Sequence, residues 1–126
     1  MKVIVTGGGS GGHIYPAIAI ADKIKEKSPD SEILYIGNEI GLEKEIIPKT
    51  GYPMKLVTAM WLDRSNALKV FGTAYGVFKG YRQSLKIMKD YKPEIVIGTG
   101  GYVCVPVMLA AHRYGAKTYI HEQNAF

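Results

Sequence analysis

The sequence predicts a doubly wound α/β domain on a parallel sheet. Three observations carry that reading: short apolar, β-branched runs recur along the chain, segments of helical period follow them, and glycine clusters stand where two of the runs end. Lys2 to Thr6 reads as a first strand, buried on both faces because its apolar residues are continuous rather than alternating. Ile14 to Lys27 reads as the helix after it, with Ala17, Ile18, Ala21 and Ile24 on one face and Pro16 tolerated in the first turn. Glu32 to Ile36 gives a second strand and Met54 to Thr58 a third, joined by a short helix over Gly41 to Thr50 that Pro48 is expected to end. Ala67 to Tyr91 is the longest helical stretch. Glu94 to Ile97 is a fourth strand, Val105 to Tyr114 a helix and Lys117 to Ile120 a fifth strand. Alternation of this kind implies right-handed crossovers and a Rossmann-like sheet, in which ligands bind at the carboxyl ends of the strands.

Composition agrees with one globular domain. The 126 residues are 47% hydrophobic and 21% charged, and a chain of that length buries enough surface to form a core without metal or disulfide support. Cys104 is the only cysteine, which excludes an intrachain disulfide and makes a reducing compartment the expectation. No uncharged apolar run approaches the ~18 residues of a membrane span, and the N-terminus reads as a strand, so a spanning or secreted protein is not expected. Glycine is in excess, at 15 residues, or about 12% against an average near 7%.

Much of that excess lies in two loops. Gly7-Gly8-Gly9-Ser10-Gly11-Gly12 joins the first strand to the first helix. Glycines let a backbone turn tightly and approach a ligand, and the helix N-terminus adds open N–H groups and partial positive charge, so an anion, above all a phosphate, is the expected guest. The spacing of Gly7, Gly9 and Gly12 also satisfies the dinucleotide fingerprint, with Glu39 as the acid near the end of the second strand, so a nicotinamide or flavin site stays open. His13 and Ile14 stand where a Walker loop needs Lys and Ser or Thr. Gly98-Thr99-Gly100-Gly101-Tyr102 follows the fourth strand, with Pro106 just inside the next helix, and repeats the device across the switch point. Two anion-binding loops facing one crevice suit a diphosphate. His121-Glu122-Gln123-Asn124 closes the fifth strand with four polar residues placed for ligand contact. Ala125 stands where the second histidine of a zinc-binding H-E-x-x-H belongs, and no metal site is expected.

Taken in order, Gly8 to His13 with Pro16, Gly98 to Tyr102 with Pro106, and His121 to Asn124 closely resemble the amino-terminal domain of the MurG family, over essentially the whole chain. Tyr91-Lys92-Pro93-Glu94-Ile95-Val96 is similar to the family pattern as well. The family comprises UDP-N-acetylglucosamine:N-acetylmuramyl-(pentapeptide) pyrophosphoryl-undecaprenol N-acetylglucosaminyltransferases. The resemblance implies the N-terminal half of a GT-B glycosyltransferase. Residues 1–126 would form the acceptor-binding domain, with a C-terminal donor-nucleotide domain outside this chain. It further implies transfer of N-acetylglucosamine from UDP-N-acetylglucosamine to the C4 hydroxyl of lipid I, with inversion and without a cofactor. The setting is the cytoplasmic face of the bacterial cell membrane, as a peripheral protein. By the same resemblance Ser10, Gly11, Gly12 and Asn124 touch the donor, and Gly9, Gly100, Gly101, Tyr102, His121 and Gln123 complete the binding surface. His13 is the candidate general base or a group orienting the acceptor hydroxyl, since imidazole titrates near neutral pH; Glu122 is the second candidate. One departure is Cys104, where the family usually carries a hydroxyl residue.

The net charge of +5 also has a location. Lys69, Lys79, Arg82, Lys86, Lys89 and Lys92 face only Asp90 in the long helix and its end. Phe71, Ala74, Phe78, Tyr81, Leu85 and Met88 form a stripe flanked by those cations, which suits an anionic bilayer surface; a stripe packed on the sheet with solvated cations is the alternative. Trp61 could join either arrangement. No nucleic-acid motif accompanies the charge. Gly72, Gly76 and Gly80, four apart, allow a close helix neighbour. Two further functions remain open beside the transferase: a non-catalytic, membrane-recruiting subunit completed in trans, and a dinucleotide-binding domain.

Overall fold

The computed structural model describes residues 1–59 and 67–121; Trp61, Glu122, Gln123 and Asn124, and the side chains of Lys69 and Phe71, lie outside what is described. Five strands form one parallel sheet in the order β3-β2-β1-β4-β5. They are β1 (Lys2–Thr6), β2 (Glu32–Asn38), β3 (Met54–Val57), β4 (Ile95–Gly98) and β5 (Lys117–Ile120). The helices are α1 (Gly11–Lys27), α2 (Glu43–Ile46), α3 (Ala67–Tyr91) and α4 (Cys104–Tyr114), and a 3₁₀ turn covers Ile47–Thr50. The predicted α/β class, strand count and doubly wound order are those observed.

Strand pleating explains why helices cover both faces. Successive side chains of β1 and β2 point to opposite sides. Val3, Val5, Ile33 and Tyr35 pack with Ile14, Ala17 and Ala21 of α1 and with Ile47. Ile4, Leu34 and Ile36 go the other way, onto Met88 of α3 and Val107, Ala110 and Ala111 of α4. Nearly continuous apolar strands are what such two-sided burial requires.

Boundaries differ where glycine and proline act. α1 starts at Gly11, three residues before the expected Ile14, because extended Ser10 (φ −126°, ψ 161°) already serves as its N-cap. Pro16 therefore stands inside the helix rather than in its first turn, where it has no N–H to give the Gly12 carbonyl. The expected helix over Gly41 to Thr50 is instead the single turn of α2 followed by the 3₁₀ turn, and Pro48 opens that turn rather than ending a helix. Its fixed φ and absent N–H fit a first turn. β2 continues to Asn38 because Gly37 and Asn38 pair with Leu56 and Val57.

The stripe on α3 divides. Tyr81 and Leu85 pack against the core and Met88 is fully buried, whereas Ala74 is exposed and Phe78 and Tyr75 are 55% and 68% exposed. Gly80 explains part of the glycine spacing: a Cβ there would collide with the Thr58 carbonyl and come within 3.2 Å of Pro106 in α4. That contact seats α3 against α4 and the end of β3. Gly72 has open space around it.

Candidate functional site

The sheet register sets the site. Thr6 pairs with Gly98, so β1 and β4 end side by side and their glycine loops leave the sheet together at the point where strand order reverses. The loops are bonded to each other. Gly8 N–H donates to the Gly100 carbonyl at 3.2 Å and Thr99 N–H to the Thr6 carbonyl at 2.9 Å. The Thr99 hydroxyl donates to the His13 carbonyl at 2.6 Å and so ties the second loop to the start of α1. Gly101 takes φ +90° and presses on Gly8, where any Cβ would strike the Gly8 backbone.

His13 lies across this seam, half-buried in the first turn of α1. Its Nδ1 is 3.2 Å from the Gly8 carbonyl and 3.4 Å from Ser10 Oγ. A carbonyl only accepts, so the contact calls for a proton on Nδ1, and in the neutral ring that tautomer leaves the lone pair on Nε2. The ring edge bearing Nε2 faces Gly100, where a Cβ would stand 2.9 Å from that nitrogen. Ser10 and Gly12 are exposed beside it. The amides of Ser10 and Gly11 take no acceptor among the described residues, which leaves them to an anion at the N-terminus of a seventeen-residue helix.

The remaining candidates divide by where their groups point. Gly9 is exposed, yet its N–H donates inward to Glu43 Oε1 at 2.9 Å, so its amide is not offered to a phosphate as the loop pattern suggests. Gly100 N–H is likewise turned to Cys104 Sγ at 3.2 Å. Tyr102 is exposed in the turn entering α4. His121 is exposed at the end of β5, with its N–H on the Gly98 carbonyl at 2.8 Å. It lines a pocket of about 410 Å³ with Gly98, Gly100, Cys104 and the apolar Met108 and Leu109. Glu122, Gln123 and Asn124 continue from His121 and lie outside the described residues.

Cys104 does the work of a hydroxyl. Its sulfur accepts from Gly100 N–H and donates to the Gly100 carbonyl at 3.1 Å, the two roles that a Ser or Thr hydroxyl could also fill. Burial pushes its thiol pKa up, and a raised pKa leaves little thiolate for nucleophilic attack.

Two contributors escaped the sequence reading. Tyr35, buried in β2, donates its hydroxyl to the Gly7 carbonyl at 2.5 Å; burial, then the charges of Glu43 and Cys104, raises its phenol pKa far above the ordinary value and keeps it a donor. Glu43 is fully buried. A signal for it existed, since Glu43 shares helical spacing with Ile46 and Ile47 and so falls on the inward face of its turn. Glu39, the acid that the dinucleotide reading needs, is exposed at the end of β2, its N–H bonded to the Val57 carbonyl.

Known proteins carry the same architecture. The Glycosyltransferase family 28 N-terminal domain matches residues 3–126. The chain is 56% identical over its whole length to the UDP-N-acetylglucosamine–N-acetylmuramyl-(pentapeptide) pyrophosphoryl-undecaprenol N-acetylglucosamine transferase of Alkaliphilus oremlandii, and covers 34% of that protein. The crystal structure of Acinetobacter baumannii MurG superposes with a TM-score of 0.84 at 28% identity, over 98% of this chain and 36% of that one. The Streptomyces sp. SF2575 glycosyltransferase SsfS6, complexed with thymidine diphosphate, shares the fold at TM-score 0.67 and 18% identity, over 97% of this chain and 38% of that one. This chain thus spans about a third of the length of the curated relatives it matches. With paired glycine loops at the switch point of a parallel sheet and a match from its third residue to its last, the chain belongs to the glycosyltransferase family 28 N-terminal domain family.

Proposed function

We propose that this chain is the acceptor-binding side of an inverting transferase that moves N-acetylglucosamine from UDP-N-acetylglucosamine to the C4 hydroxyl of lipid I. The observation that carries the reading is the bonded pair of glycine loops with His13 across their seam. The loops hold the acceptor's diphosphate, with the Ser10 and Gly11 amides and the α1 N-terminus supplying positive potential. Nε2 of His13 takes the proton of the acceptor hydroxyl as its oxygen bonds to the anomeric carbon, and the bond from that carbon to the UDP oxygen breaks. Ser10, Gly11, Gly12 and Asn124 approach the donor from this side, while Tyr102, His121 and Gln123 border the acceptor. A C-terminal domain supplies the other wall, so the isolated chain binds but does not turn over. Calorimetric titration with a soluble lipid I analogue bearing the diphosphate tests this. Saturable binding of the analogue, with none of NADH, is expected; the reverse result would return the site to a dinucleotide.

The second half of the proposal is a peripheral seat on the cytoplasmic face of the membrane, where a lipid-linked acceptor is found. Among the described residues no helix is long and apolar enough to cross a bilayer. Exposed Tyr75 and Phe78 stand beside exposed Lys79 and Arg82, with the Arg82 guanidinium 5.9 Å from the Phe78 ring centre. An aromatic pair edged by cations matches an anionic interface. Sedimentation with phosphatidylglycerol vesicles is expected to show salt-sensitive binding that Phe78→Ser with Arg82→Ser weakens about tenfold or more. Binding insensitive to both changes would remove α3 from that role.

A further inference from the structure

Glu43 is the one fully buried carboxylate among the described residues, and it reaches the first glycine loop from another part of the chain. Oε1 accepts the Gly9 N–H at 2.9 Å and Oε2 accepts the Asn38 N–H at 2.7 Å, so each oxygen serves one backbone donor. Space for the side chain exists only because Gly8, Gly37 and Gly41 lack Cβ atoms: at Gly8 and Gly41 a Cβ would strike the carboxylate, and at Gly37 it would stand 3.0 Å from the Glu43 Cβ. Three glycines thus surround one acid, and the acid joins the end of β2 to the loop after β1.

We infer that Glu43 is the positioning residue of the diphosphate cradle. Resting on the acceptor-binding reading above, this adds how the loop is held ready before any ligand arrives. A loop whose N–H groups all pointed outward would be flexible and would have to order on binding, at a cost to affinity. Glu43 draws the Gly9 amide inward, Gly100 accepts the Gly8 amide, and the next amides, of Ser10 and Gly11, are left at the crevice. The carboxylate acts through the loop and does not touch the substrate.

The chemistry singles out the acid. Glutamine has the same shape but one acceptor oxygen; its NH₂ would oppose one of the two N–H donors. Asn38 is fixed at the end of β2, with its side-chain amide also donating to the Ala59 carbonyl at 3.0 Å. Glu43→Gln is therefore expected to keep Asn38 and release Gly9. Amide exchange in the ligand-free chain should show Gly9 at least tenfold faster in Glu43→Gln, with β1 and β4 unchanged. Titration with inorganic pyrophosphate, followed at the Ser10, Gly11, Gly100 and Gly101 amides, should then show affinity lowered about tenfold or more. Val3→Ala, a core truncation at the far end of β1, is the control: it lowers stability and leaves that affinity as in the wild type. Released Gly9 with unchanged or tighter pyrophosphate binding overturns the role of Glu43. Wild-type loops that do not respond to pyrophosphate overturn the diphosphate reading, and the purpose assigned to Glu43 with it.

Discussion

Replacing His13 with alanine is expected to slow transfer by a factor of about 10² to 10⁴, the usual contribution of a positioned acid–base group. The chain should be assayed in place of the matching third of the Alkaliphilus oremlandii relative, so that the transferase tested is of full length. Among the described residues the imidazole hydrogen-bonds through Nδ1 to the part-buried Gly8 carbonyl and the exposed Ser10 Oγ, so its loss should cost about 1 kcal/mol of stability. The kinetic split separates the two roles open to this residue. A general base lost in the transition state lowers kcat and kcat/KM together, whereas a phosphate contact raises KM with kcat unchanged. A rise in KM alone would reassign His13 to binding, and Glu122 would become the base to test.

Gly101→Ala should be the most damaging single methyl in the site. A φ of +90° is strained for alanine, at about 1–2 kcal/mol. The added methyl also meets the Gly8 backbone, which cannot swing aside as a side chain could. Relief requires the loops to part and the Gly8 to Gly100 bond to break, at about 0.5–1.5 kcal/mol more. A total of about 1.5–3.5 kcal/mol in urea denaturation follows, with loss of acceptor-analogue binding. Gly115 isolates the cause: it has φ +101° at the end of α4 but nothing within 4 Å of its Cβ position, so Gly115→Ala suffers the backbone strain alone, about 1–2 kcal/mol, and keeps binding. Equal losses in the two variants would show that the loops do not depend on their mutual contact.

Much of the fold was legible because its signals are local. The apolar runs of Lys2–Thr6 and Lys117–Ile120 and the helical span Ala67–Tyr91 are where the residues place them. The errors fall where local rules compete. Gly11 and Gly12 are poor helix formers that entered α1 because Ser10 took the cap, and Pro48 can either end a helix or open a 3₁₀ turn. The stripe on α3 read as a single feature, yet among its described residues Tyr81, Leu85 and Met88 join the core while Ala74 and Phe78 stay exposed. No periodicity reveals where a neighbouring helix stops.

The site divides along the same line. By itself the sequence determined the α/β class, the two glycine loops and His13 as the imidazole beside them, since each rests on residue type, spacing and the end of a strand. Only the tertiary structure decided that β1 and β4 are adjacent, that the loops bond across Gly8 and Gly100, and that Glu43, thirty-four residues on from Gly9, holds the first loop from behind. Backbone amides look alike in sequence, and whether one faces a ligand or an internal acceptor depends on which distant group the fold brings to it.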